Sequence, residues 1–138
     1  MKLDEITKEY EIQVVQGETN IEVTGVEQDS RKIKNGNMFI AIDGFTVDGH
    51  NYINEAIKNG ANCIVIEKNV VLDNRDITII KVEDTELALA KFSSIYYDEP
   101  SKKLNLIGVT GTNGKTSITY LIRSIFDAQR EKSGLIGT

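Results

Sequence analysis

Strand-like and helix-like patterns alternate along the first hundred residues, and an apolar run then empties into a glycine-rich loop that leads through Lys115 and Thr116 into a helical pattern. Together these predict an α/β fold in two parts. An amino-terminal α/β domain is expected over residues 1–98 and a linker over 99–103. The start of a P-loop domain follows over 104–138, incomplete as it stands.

The elements follow in order. Glu11 to Val15 and Ile21 to Val26 carry short β-type patterns separated by Gly17 and Asn20. Met38 to Ile42 reads as a strand introduced by the turn Lys34-Asn35-Gly36-Asn37. Tyr52, Ile53, Ala56 and Ile57 make one face of a short helix that Gly60 would end. Two apolar runs, Cys63 to Ile66 and Ile77 to Val82, flank a polar loop centred on Asp73-Asn74-Arg75-Asp76. A second helix is expected from Thr85 to about Tyr97, with Leu87, Leu89, Ala90, Phe92, Ser93 and Tyr96 facing inward. Asp98 to Lys103 is polar and contains the only proline, which biases Glu99 away from helix, so it reads as a linker.

Beyond the linker, Leu104, Leu106, Ile107 and Val109 form a nearly continuous apolar run, as a strand buried on both faces should. Ile118, Leu121, Ile122, Ile125 and Phe126 then recur at helical spacing, which predicts a helix from about Thr116 to Gln129. Ser133 to Thr138 reads as a second strand cut short. One strand, loop and helix cannot bury both faces of a parallel sheet, so this part is expected to be the front piece of a larger domain.

Between that strand and helix lies Gly108-Val109-Thr110-Gly111-Thr112-Asn113-Gly114-Lys115-Thr116-Ser117. Glycines let backbone N–H groups turn toward phosphate oxygens, and a helix N-terminus adds partial positive charge at the same place. Lys115 would reach the β and γ phosphates, and the Thr116 hydroxyl would complete a Mg²⁺ shell. A bland turn explains the glycines but not Lys-Thr at a helix start. The general pattern has Gly where this chain has Val109, which points away from a generic GTPase and toward a narrower class of ATP users.

Composition narrows the remaining possibilities. Of 138 residues, 40% are hydrophobic and 27% charged, as expected of a soluble globular protein. Sixteen basic against 21 acidic residues give a net charge of −5, so there is no broad electrostatic footprint for nucleic acid or anionic lipid. No apolar run approaches the roughly 20 residues of a bilayer span, and the amino terminus lacks the apolar stretch of a secretory signal. A cytoplasmic location is the expectation. Cys63, the single cysteine, lies in Asn62-Cys63-Ile64-Val65-Ile66 and reads as a buried strand thiol.

The stretch from Tyr97 through Glu99-Pro100-Ser101 to Gly111-Thr112-Asn113-Gly114-Lys115-Thr116 resembles the Mur ligase family, and within it the MurE type. A second block agrees: Asp29-Ser30-Arg31 through Met38 to Gly44, followed by Thr46-Val47-Asp48-Gly49-His50. The likeness spans the whole chain, with two motifs in the expected order. It implies an ATP-dependent amide ligase of peptidoglycan precursor synthesis, with ATP and Mg²⁺ as cofactors. Its partners would be UDP-N-acetylmuramoyl-L-alanyl-D-glutamate and an incoming amino acid, meso-diaminopimelate or lysine.

Residue by residue, the resemblance implies an ATP loop of Gly111, Thr112, Asn113, Gly114, Lys115, Thr116 and Ser117, with Lys115 catalytic and Thr116 the metal contact. It implies Ser30 for gripping the UDP portion, its hydroxyl donating to a phosphate or sugar oxygen, with Phe45, Thr46 and Val47 approaching the uridine. The bland reading of Ser30 is a serine that satisfies a turn. His50 reads equally as a capping or surface residue, and Arg31 more ordinarily as half of a solvated salt bridge than as a diphosphate ligand. Further metal-binding and amino-acid-selecting segments lie downstream in the family, so residues 1–138 alone are not expected to turn over. The alternatives are a MurF-type ligase that adds a dipeptide and a nucleotide-binding module without ligase chemistry.

Overall fold

Residues 1–137 are described by the computed structural model, and they divide into two compact units, Met1–Lys103 and a second that begins at Leu104. The first unit holds a five-stranded sheet in the order β1-β5-β4-β3-β2. Its strands are β1 (Gln13–Gln16), β2 (Val26–Glu27), β3 (Met38–Ile40), β4 (Cys63–Ile66) and β5 (Thr78–Lys81). Strands β2 to β5 run parallel, and β1 closes one edge antiparallel to β5 with an irregular register between Val14 and Gln16.

Two apolar cores, one on each face, explain why the strands read as continuous hydrophobic runs. Side chains alternate across a strand, so Met38, Ile40, Cys63, Val65 and Ile80 enter one core while Phe39, Ile64, Ile66 and Ile79 enter the other. The first core is covered by α1 (Leu3–Thr7) and α3 (Thr85–Tyr96) through Leu3, Ile6, Ala88 and Phe92. The second is covered by α2 (Ile53–Lys58) through Ile53 and Ala56. Cys63 is fully buried, and burial pushes its thiol well above the usual range, as a structural strand thiol requires.

Capping chemistry sets the helix boundaries. Asp48 Oδ1 accepts from the His50 amide at 2.9 Å and starts a 3-10 turn, Gly49–Tyr52, that runs directly into α2. At the other end, Gly60 adopts φ 109°, and Ala61 N–H closes onto the Ala56 carbonyl at 3.0 Å. A Cβ at Gly60 would also stand 2.8 Å from Asn35 Cα. Asp84 caps α3 by accepting from Leu87 N–H at 2.8 Å.

Several expectations require correction. The strand expected over 21–26 reduces to Val26–Glu27, because the backbone before it turns to the amino terminus: Val23 N–H bonds the Met1 carbonyl and Leu3 N–H the Ile21 carbonyl. Leu87 and Ala90 on α3 are exposed, and Thr85 and Ala88 occupy the inward positions instead. Tyr52 belongs to the 3-10 turn, not to the buried face of α2, and is exposed. Pro100–Lys103 is a 3-10 turn, preceded by left-handed backbone at Asp98 and Glu99 that ends α3.

The second unit contains α4 (Lys115–Ala128), matching the predicted helix to within a residue at each end. The strand predicted over Leu104 to Val109 is absent: Leu104, Leu106 and Ile107 are exposed, and the run carries no ladder among the described residues. A parallel strand forms only against neighbours that take its hydrogen bonds. Ser133 to Gly137 likewise forms no strand, and Thr138 lies outside the described residues. Of the predicted apolar stripe of α4, Ile118, Leu121 and Ile125 are exposed, while Ile122 and Phe126 are half-buried.

Candidate functional site

Parallel strands deliver their following loops to one end of the sheet, and ligand crevices form outside those carboxyl ends. The first unit follows that rule. A cleft of about 710 Å³ opens beyond β2 and β3, walled by Glu27, Asp29, Ser30, Arg31 and Lys32 on one side and by Tyr52 and Glu55 on the other. Phe39 and Ile42 contribute apolar surface, and Gly44, Val47 and Gly49 bring in the loop after β3.

Ser30 begins a 3-10 turn, Ser30–Lys32, directly after the segment leaving β2. Asp29 caps that turn by accepting from the Arg31 amide at 3.1 Å. Ser30 is buried and fixed to α2 from two sides: its hydroxyl donates to Glu55 Oε2 at 2.6 Å, and its carbonyl accepts from Asn59 Nδ2 at 2.9 Å. Its proton therefore goes to Glu55 within the fold. Arg31 forks onto Asp29 through Nε and a terminal nitrogen at 2.9 and 2.8 Å, which is the salt-bridge reading.

That fork holds the Asp29 carboxyl down at about 2, chiefly through the Arg31 hydrogen bond. A carboxyl lowered by folding stabilises the protein above its ordinary value near 3.8, and the contribution disappears as pH falls through about 2. Wild type is expected to lose stability relative to Asp29→Asn between about pH 4 and pH 2, read from urea unfolding at each pH.

The loop from Asp43 to Asp48 carries the other predicted uridine contacts. It closes through an isolated bridge between Asp43 and Asp48 and through Gly44 N–H to the Val47 carbonyl at 3.1 Å. Val47 lines the cleft, while Phe45 and Thr46 project from the loop as exposed side chains outside the lining.

Lys68, just past β4, clamps both ends of this loop, reaching Asp43 at 2.6 Å and Asp48 at 2.9 Å. Asp48 is held well below the usual carboxylate range, first by Lys68 and then by the His50 amide. His50 Nδ1 stands 2.7 Å from Asp48, and its Nε2 accepts from the amides of Glu67 and Lys68 at 3.3 and 3.4 Å. An Nε2 that accepts leaves the proton on Nδ1, so His50 ties the loop to the chain after β4. Lys68→Met is expected to change the melting temperature little, since exposed ion pairs contribute on the order of 1 kcal/mol or less, and a melting curve checks this.

Sequence reasoning missed Glu55, Tyr52 and Lys68 as parts of this site. Glu55 had a usable signal, since it lies off the apolar face of α2; Lys68 had none, because its partners are distant in sequence.

In the second unit, the loop 111–114 leads straight into α4. Gly114 is the residue before the helix, in left-handed backbone at φ 77°, a conformation that a residue with a Cβ adopts at a cost of about 1 kcal/mol or more. It supplies no side-chain cap, and the first helical bond runs from Ile118 N–H to its carbonyl. A helix directs its first N–H groups out of its N-terminus, and no acidic residue in the first turn of α4 offsets that positive end. Lys115 Nζ folds back over the loop to the Gly111 carbonyl at 2.6 Å. Thr112, Asn113, Thr116 and Ser117 are exposed around it. No group of three or more His, Cys, Asp or Glu side chains suited to a metal occurs among the described residues, so a divalent ion here would need phosphate oxygens beside the Thr116 hydroxyl. No helix among the described residues is long and apolar enough to cross a membrane.

Residues 22–97 match the Mur ligase family, catalytic domain, and residues 109–138 match the Mur ligase middle domain. The chain belongs to the Mur ligase family. It is 47% identical over all 138 residues to the UDP-N-acetylmuramoyl-L-alanyl-D-glutamate–2,6-diaminopimelate ligase of Clostridioides difficile, covering 28% of that protein. The ligase of the same name from Oceanobacillus iheyensis is 52% identical over 125 residues, which are 90% of this chain and 25% of that protein. The chain thus spans about a quarter of the Mur ligases it matches.

Among solved structures, the MurF ligase of Thermotoga maritima in complex with ADP aligns with a TM-score of 0.57 at 30% identity, over 75% of this chain and 23% of that one. A UDP-N-acetylmuramoyl-L-alanyl-D-glutamate–2,6-diaminopimelate ligase structure aligns over the whole chain and 28% of its own, with a TM-score of 0.72. At 23% identity, that second likeness speaks to the fold alone.

Proposed function

We propose that this chain is the substrate-gripping and ATP-loop portion of a cytoplasmic ligase that joins 2,6-diaminopimelate to UDP-N-acetylmuramoyl-L-alanyl-D-glutamate. The observation that carries this reading is the likeness, over the whole of this chain, to the Clostridioides difficile ligase of that name. The cleft beyond β2 and β3 takes the UDP end of the substrate, and the loop 111–117 takes ATP.

The chemistry needs an activated carboxylate, because an ionised carboxylate offers an amine only oxide as leaving group. A D-Glu carboxylate oxygen bonds to the γ-phosphorus, ADP departs, and an acyl phosphate results. The amine then attacks the acyl carbon, phosphate leaves, and the nitrogen loses a proton to give the amide. The Thr116 hydroxyl is the side chain that would hold a Mg²⁺ ion beside the phosphates, and that ion would supply charge neutralisation. Lys115 performs the same service from the protein: a phosphate oxygen in the loop competes with the Gly111 carbonyl for its ammonium. Gly111 and Gly114 let backbone amides approach, and the α4 N-terminus orients the polyphosphate.

Titration of UDP-N-acetylmuramoyl-L-alanyl-D-glutamate into the chain tests the reading. Binding is expected, weakened about tenfold by Ser30→Ala, as removal of a hydrogen bond inside a site implies. A chain with no affinity for this ligand would sink the proposal, and tighter binding of the corresponding tripeptide nucleotide would transfer it to the MurF type.

A further inference from the structure

An asparagine followed by glycine can modify itself, because the glycine has no Cβ to keep its amide nitrogen away from the asparagine carboxamide carbon. The chain carries three such pairs, Asn35-Gly36, Asn59-Gly60 and Asn113-Gly114, so their intrinsic chemistry is alike and folding decides between them. Two are locked. Gly36 N–H is committed to the Gly60 carbonyl at 2.8 Å and Gly60 N–H to the Ile57 carbonyl at 3.0 Å, so neither nitrogen is available to attack. Both glycines are also packed, with Thr24 Oγ1 2.9 Å from a Cβ placed on Gly36 and Asn35 Cα 2.8 Å from one on Gly60. The Asn59 carboxamide is pinned to the Ser30 carbonyl at 2.9 Å as well. Asn113-Gly114 has none of these restraints. Among the described residues the Gly114 N–H and the Asn113 side chain carry no hydrogen bond, Asn113 is exposed, and nothing comes within 4 Å of a Cβ placed on Gly114. The positive end of α4, which begins at the next residue, favours the anionic nitrogen that must attack.

We propose that Asn113 is a site of spontaneous deamidation that retires the loop before α4. The Gly114 nitrogen bonds to Asn113 Cγ and gives up its proton, the carboxamide nitrogen leaves as ammonia, and a five-membered succinimide results. Water then opens one of its two carbonyls, which yields aspartate or an isoaspartate whose peptide bond runs through the side chain. Either product places a carboxylate at the head of α4, and isoaspartate also adds a methylene to the backbone in front of Lys115. A polyphosphate approaching that loop then meets a like charge. This loss of binding rests on the reading of 111–117 as an ATP loop; the modification itself does not.

Ageing the whole chain in warm, mildly alkaline buffer, with peptide mapping by mass spectrometry at intervals, tests the modification. Asn113 is expected to convert at least about tenfold faster than Asn35 or Asn59, since those two react only after their hydrogen bonds open. In urea, where no fold distinguishes them, the three pairs should convert at similar rates. Equal rates in the folded chain, or faster conversion at Asn35 or Asn59, overturn the proposal, as does a folded chain whose Asn113 stays amidated while the unfolded chain converts. Titration of ATP into fresh and aged chain reads the consequence, and conversion is expected to weaken binding about tenfold, as a like charge placed beside the phosphates implies. Unchanged affinity after full conversion would show that the modification does not retire the loop. A fresh chain without affinity for ATP overturns the ATP-loop reading instead, and the mass map still decides whether Asn113 is the reactive site.

Discussion

Lys115→Met in a ligase that carries this chain is expected to lower kcat by about 10²- to 10³-fold, the usual loss when one preorganised donor to a developing charge is removed. The Met side chain keeps the apolar stem and deletes the ammonium that reaches Gly111 O at 2.6 Å, so the loop and the start of α4 should stay in place. The UDP substrate is proposed to bind in the other unit, so its KM should hardly move. Steady-state rates with varied ATP and varied UDP substrate separate the two effects. Unchanged kcat would show that the ammonium does not touch the transferring phosphoryl group. A rise confined to the KM for the UDP substrate would place Lys115 in the wrong site.

Phe92→Ala is expected to destabilise the first unit by about 3–5 kcal/mol, the range for truncating a buried aromatic side chain. Phe92 is fully buried on α3 and meets the Tyr10 ring edge-on, with centroids 5.4 Å apart at 74°. The lost ring leaves a cavity between α3 and the sheet, and no residue of α3 lines the cleft beyond β2 and β3. Urea unfolding should show a lower midpoint, while affinity for the proposed UDP ligand, measured below the transition, stays at the wild-type value. A midpoint like that of wild type would mean that α3 repacks over the sheet without needing this ring.

The regular elements of the first unit were legible because their signals are local. Met38 to Ile40, Cys63 to Ile66 and Thr78 to Lys81 are apolar runs short enough for strands, and Gly60 marks a helix end through chemistry contained within a few residues. Where the reading failed, a partner far along the chain had intervened. Ile21 to Thr24 has strand-like alternation, yet its backbone bonds go to Met1, Leu3 and Gly36. Leu104 to Val109 has the composition of a buried strand, but composition supplies no neighbour to receive its hydrogen bonds.

By itself the sequence determined the alternation of strands and helices, the glycine-rich loop before α4, and the choice of Ser30, Val47 and Lys115 as residues worth locating. Only the tertiary structure decided that Ser30 gives its proton to Glu55, 25 positions away, and that Lys68 clamps Asp48, 20 positions before it. The physical reason is range. Propensity and capping act over a turn or two of chain, whereas the direction of a hydrogen bond and the charge of a cleft are set by groups that only folding brings within about 3 Å.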